Sequence, residues 1–129
     1  MRKLLNFEVF GENNSQEVVL IAHGLFGSLK NWRSIAKYLA ESGRQVITVD
    51  MRNHGLSFWD DSHRYEEMAA DLKDVISLFG KTADIVGHSM GGKAAMTLAL
   101  LHSDRVKRLV VIDIAPFKYT HSQLNYIEV

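Results

Sequence analysis

The chain has 129 residues, 47% of them hydrophobic and 23% charged, which is enough for one globular domain with a sizeable core. Lys plus Arg and Asp plus Glu number 15 each, so a formal net charge of zero gives no electrostatic basis for binding nucleic acid or an anionic membrane. With no cysteine there is no disulfide framework and no thiolate metal site. Residues 1–6 begin as a signal peptide does, but Asn6 and Glu8 break the apolar run early. No stretch has the length of a membrane span, and the expectation is a soluble cytoplasmic protein.

Leu5, Phe7 and Val9 alternate with Asn6 and Glu8 and predict a half-buried strand, followed by a turn cluster at residues 11–15. Val18–Ala22 is apolar throughout, as in a strand covered on both faces. Trp32, Ile35, Ala36, Leu39 and Ala40 share one helical face, with Gly43 as the stop signal. Residues 46–49 are the next strand. Met68, Ala69, Leu72, Val75, Ile76 and Phe79 form the clearest helical stripe, closed by Gly80. A strand at residues 83–86, a helix at 93–101 and a strand at 109–114 complete the pattern, with Met96, Leu98, Leu100 and Leu101 expected in the core. Strands alternating with helices at these spacings mean βαβ units: an α/β fold whose mostly parallel, doubly wound sheet carries helices on both faces. In such sheets the chemistry lies at the carboxyl ends of the strands. The polar and glycine-rich segments 23–28, 50–57, 88–92 and 113–119 fall there.

The segment Gly87-His88-Ser89-Met90-Gly91-Gly92 is a G-x-S-x-G placed where a strand turns into a helix. A serine at the tip of that turn is held in a strained conformation with its hydroxyl above the sheet. The flanking chain passes so close that Gly87 and Gly91 must lack side chains. A bare G-x-S-x-G can arise by chance; the strand before it, the small-residue helix after it and the extra Gly92 argue for Ser89 as a nucleophile. Such a nucleophile needs backbone N–H groups aimed at the developing oxyanion. Met90 supplies one as the residue after the serine, and the loop His23-Gly24-Leu25-Phe26-Gly27-Ser28 supplies the other, assigned to Leu25 with Phe26 as the fallback. The plainer alternative is a tight βα turn that needs glycine anyway. Gly24-x-x-Gly27 with Asp50 also matches half of a dinucleotide fingerprint, but Ala22 replaces its first glycine, which leaves the match weak.

Asp50 and His54, in the loop after the second parallel strand, read as catalytic candidates or, in preference, as buttresses of the site. His88 reads as a packing residue, and His63 and His102 as surface residues. A triad needs an acid and a base after the serine. Asp113 follows the elbow helix at the same sheet edge as Ser89 and is the candidate acid; a carboxylate capping a nearby turn is the alternative. His121 is the one histidine after Asp113.

Together the segments 23–28, 50–57, 87–93 and Ile112-Asp113-Ile114-Ala115-Pro116 resemble the α/β-hydrolase family, within it the YbfF-type and ABHD11-like esterases, over about residues 18–119. The resemblance implies carboxylester hydrolysis without metal or organic cofactor: Ser89 attacks the acyl carbon, Leu25 and Met90 donate to the oxyanion, and Asp113 matches one of the two strand ends after which this fold places the acid, the other being absent here. It also implies a helical cap, two more strands, a final helix and a loop carrying the catalytic histidine beyond residue 129. Residues 1–129 thus read as the N-terminal portion of such a domain, with weak hydrolysis expected from this length alone. The expected partner is a small-molecule acyl ester, with no nucleic acid and no membrane. Self-association, or a missing C-terminal half, is expected at the open edge of the last strand. A catalytically incomplete binding domain is the rival reading, and a thioesterase or C–C bond hydrolase would share the elbow.

Overall fold

The computed structural model describes residues 3–14 and 17–112. Strands β1 (Phe7–Phe10), β2 (Val18–Ala22), β3 (Gln45–Val49), β4 (Ala83–His88) and β5 (Val106–Ile112) alternate with helices α1 (Arg33–Glu41), α2 (Tyr65–Phe79) and α3 (Met90–Leu101). Short 3-10 turns stand at Leu29–Trp32 and Ser103–Arg105. The sheet order is β1-β3-β2-β4-β5; β1 runs antiparallel to β3 and every other pair is parallel.

The two faces of β2 explain its apolar run. Val19 and Ile21 pack with Val46 of β3 and Ala36 of α1, while Leu20 and Ala22 face the opposite way, among Leu72, Ile76, Ala94 and Leu98 of α2 and α3. Alternating side chains therefore feed two cores, one under α1 and a larger one under α2 and α3. Phe7 closes the larger core against Phe79, ring edge to face at 5.4 Å. This is the doubly wound α/β arrangement that the alternating pattern predicts.

Several expectations shift. The final strand starts at Val106 rather than at residue 109. Ion pairing makes the charged residues compatible with the ladder: Arg108 grips Asp84 of β4 at 2.7 and 3.0 Å, and Lys107 meets Glu17. The helix after the elbow starts directly at Met90 rather than at residue 93, and its strand runs on to His88. Leu100 and Leu101 are not core, being 84% and 55% exposed. At about 100° per residue, Leu100 points almost opposite to the buried Leu98. Ile35, expected on the buried face of α1, is likewise exposed. The outer edge of β5 leaves Leu109 and Val110 in solvent.

The stripe of α2 contains one charged residue, Asp71, which is 1% exposed. It receives the Arg52 guanidinium in a two-pronged bond of 2.7 and 3.0 Å. Arg52 also donates to the Ser62 carbonyl at 3.1 Å and lies over the Phe58 ring. The pair anchors the loop after β3 to the helix behind it. Removing one partner of a buried ion pair leaves the other charge desolvated. Asp71→Ala should lower unfolding stability by about 3 kcal/mol, the lower end of the usual range because Glu67 and Asp60 keep carboxylates within 3.8 and 4.0 Å of Arg52. The shift of the urea midpoint measures it, and Asp71→Ala combined with Arg52→Met should recover most of the loss.

Candidate active site

The chain connection places the site. From β2 the chain winds through α1 to β3 on one side; from β3 it crosses back through α2 to β4 on the other side of β2. The carboxyl ends of β2 and β4 therefore flank the point where the winding reverses, where an open α/β sheet has its crevice. The loop from His23 and the turn at Ser89 meet there.

Ser89 has φ +53° and ψ −115°, a left-handed conformation costly for any residue with a Cβ. Its N–H donates to the Ile112 carbonyl of β5 at 3.0 Å, and its own carbonyl accepts from Lys93 in the first turn of α3. Close approach explains the glycines on either side. A Cβ on Gly87 would stand 2.6 Å from the Gly91 carbonyl oxygen and the Gly92 Cα; one on Gly91 would stand 2.3 Å from the Ala22 carbonyl oxygen. Both contacts are with backbone, which cannot swing aside. Met90 opens α3, so its N–H is one of the first-turn donors that a helix leaves without an internal partner.

Across from the elbow, Gly24 lets the β2 loop close in: a Cβ there would be 3.2 Å from the Ser89 Cβ and 2.7 Å from His88 Nδ1. Gly27 N–H donates to the Gly24 carbonyl at 3.0 Å and closes a tight turn, with Phe26 at φ +64°. The Phe26 N–H donates to His54 Nε2 at 3.0 Å. Among the described residues the Leu25 N–H has no hydrogen-bond partner. Of the two donors weighed for this loop, the first choice is open and the fallback is engaged.

The loop after β3 buttresses this arrangement. His23, 1% exposed, donates from Nδ1 to the Gly24 carbonyl at 2.7 Å and accepts at Nε2 from Met51 N–H at 2.9 Å. Burial pushes its pKa below the ordinary histidine value, with His54 adding to the effect against the opposing Gly24 bond, so the imidazole stays neutral and bridges the two loops. The Asp50 carboxylate accepts from the N–H groups of Leu29 and Leu56 at 2.8 and 3.0 Å and from the Asn6 amide at 3.0 Å. Burial works to raise its pKa, but those bonds outweigh it and hold the carboxyl below its usual range. Asp50 and His54 are thus consumed in holding loops, as the buttress reading expects. His88 packs its ring 5.8 Å from that of Trp32. The two, with Asn31, wall a cavity of about 280 Å³ beside residues 24–27.

Ser89, Leu25, Met90, Gly87 and Gly91 come together at the crevice; Asp113 and His121 lie outside the described residues. The bonds of His23, the particular partners of His54 and the Arg52–Asp71 pair are not legible in the sequence. The one available signal for the pair was a carboxylate inside an apolar helical stripe. Among the described residues no cluster of three or more His, Asp or Glu could hold a metal ion, and no helix is long and apolar enough to cross a membrane.

Comparison with known proteins agrees with this geometry. The family described as alpha/beta hydrolase fold matches residues 17–127. The sn-1-specific diacylglycerol lipase ABHD11 of Danio rerio is 44% identical over 125 residues, which are 95% of this chain and 39% of that protein. Esterase YbfF of Escherichia coli (strain K12) is 49% identical over 109 residues, 84% of this chain and 42% of that protein. A solved structure described as a marine microorganism esterase superposes with a TM-score of 0.85 at 46% identity, over 96% of this chain and 47% of its own. The chain spans less than half the length of each of these. A strained serine between β4 and α3, its flanking glycines against the end of β2, and a family match over most of the sequence lead to one conclusion: the chain belongs to the α/β-hydrolase family.

Proposed function

We propose that these residues form the nucleophile half of a serine esterase, with Ser89 attacking the acyl carbon of a small carboxylic ester. The observation that carries this reading is the left-handed Ser89 at the tip of β4, facing the turn at Gly24. In the first step the Ser89 Oγ–C bond forms as the hydroxyl proton passes to a histidine base, and negative charge collects on the carbonyl oxygen. The N–H groups of Leu25 and Met90 receive that charge; preorganised donors lose little to reorganisation when it develops. Collapse expels the alcohol, which takes the proton from the histidine, and leaves an acyl-serine. Water, deprotonated by the same base, then releases the acid and regenerates Ser89. Asp113 is the acid that orients the histidine and stabilises its charged form. Ile112 supports that assignment: it is paired with His88 in the sheet, its carbonyl accepts the Ser89 N–H, and Asp113 is the next residue in the sequence. Relatives named esterase and diacylglycerol lipase fit an ester substrate.

A fluorophosphonate probe followed by peptide mass spectrometry should label Ser89 and nothing in Ser89→Ala; labelling of another serine overturns the assignment. In the full-length enzyme, Asp113→Asn should cut kcat by about a hundredfold or more with an unchanged circular dichroism spectrum. Near-normal turnover would place the acid elsewhere. Residues 1–129 expressed alone should self-associate through β5, the edge strand of the sheet among the described residues, where Leu109 and Val110 are exposed. Light scattering after size exclusion measures it, and a monomer at micromolar concentration is the contrary result.

A further inference from the structure

The turn at residues 24–27 is in a conformation its own sequence disfavours. Gly27 N–H on the Gly24 carbonyl, with a positive φ at the third residue alone, is the type II pattern, and that third position ordinarily demands glycine. Here it holds Phe26, 91% exposed, so no packing of the side chain holds the backbone there. The central peptide could turn over to the type I form, in which Phe26 would take an ordinary negative φ. What opposes this is the bond from Phe26 N–H to His54 Nε2 at 3.0 Å. His54 is built for that task. It is 8% exposed, its Nδ1 lies 2.9 Å from the Arg52 carbonyl, and its ring stands 5.1 Å from that of His23. A carbonyl at Nδ1 and an N–H at Nε2 make Nδ1 the donor and Nε2 the acceptor of the ring.

We propose that His54 is a positioning residue for the oxyanion loop: by accepting the Phe26 N–H it fixes the central peptide of the residue 24–27 turn and so holds in place the loop that carries the Leu25 N–H beside Ser89. The proposal rests on the esterase reading for its catalytic consequence, and on geometry alone for the hold on the turn. His54 touches no reacting atom. Its effect appears where charge develops on the substrate oxygen and not where the ground-state ester binds, so kcat carries the loss and KM does not.

Two substitutions separate the two ring nitrogens. His54→Asn keeps a donor near the Nδ1 position for the Arg52 carbonyl but ends short of Phe26. His54→Gln places an amide oxygen near the Nε2 position, where it can accept from Phe26 N–H. In the full chain, with p-nitrophenyl acetate as substrate, His54→Asn should lose about 10- to 100-fold in kcat with KM within about twofold, while His54→Gln should stay within about threefold of wild type. Amide hydrogen exchange over residues 24–29 should be at least about tenfold faster in His54→Asn and native-like in His54→Gln. Wild-type exchange and kcat in a folded His54→Asn would overturn the proposal. So would a His54→Gln that folds with an unchanged Tm yet exchanges as fast as His54→Asn. Should His54→Asn fail to fold, His54→Gln decides alone: native kcat and loop protection support the proposal, and loss of either overturns it. If the wild-type protein hydrolyses no ester, the esterase reading fails, and the exchange measurement still decides whether His54 holds the turn.

Discussion

The site depends on one contact of backbone with backbone. The first turn of α3 lies so close to the end of β2 that a single methyl group on Gly91 would stand 2.3 Å from the Ala22 carbonyl oxygen and 2.5 Å from that of His23. Neither carbonyl can retreat, because both belong to the central strand and the residue that continues it. That contact sets where the helix begins, hence where Ser89 must turn, hence the positive φ at its tip. Gly87 satisfies the same constraint from the strand side. The strain at Ser89 is the local consequence of packing a helix directly onto a sheet edge without a connecting loop, and the surrounding structure over-determines it.

The loops around the elbow are held by side chains that bond mainly to backbone. His23 joins Gly24 to Met51, His54 joins Arg52 to Phe26, and Asp50 gathers Leu29, Leu56 and Asn6. Each is buried and each has its polar atoms met by hydrogen-bond partners. Polar groups that bond to neighbouring backbone restrict the loop without depending on any apolar core beneath it. This suits a crevice that must stay open above Ser89. Behind this layer, the Arg52–Asp71 pair ties the β3 loop to α2, so the histidine network has a fixed base.

The order of strands gives these contacts their setting. β2 and β3 bring their loops together because they are parallel neighbours; β4 joins them because the crossover through α2 returns over β2. Ser89, Leu25 and His54 come from three separate stretches of sequence, and each stands at the carboxyl end of a different strand.

Much of this was legible in the residues themselves. Period and composition identify β2, β3, α1 and α2 because burial on one or two faces imposes an apolar pattern along the chain. The elbow is legible because close approach admits only glycine, which leaves a trace at fixed spacing around Ser89. Other features depend on the fold. Leu100 and Leu101 read as core until the helix is oriented against the sheet, since an apolar run does not say which side faces inward. The early start of β5 depends on Asp84 and Glu17 lying where Lys107 and Arg108 can pair with them. The partners of His54 and the role of Asp71 are decided wholly by tertiary structure. A hydrogen bond spanning 28 residues or an ion pair spanning 19 leaves no periodic mark, because its partners are neighbours in space and not along the chain.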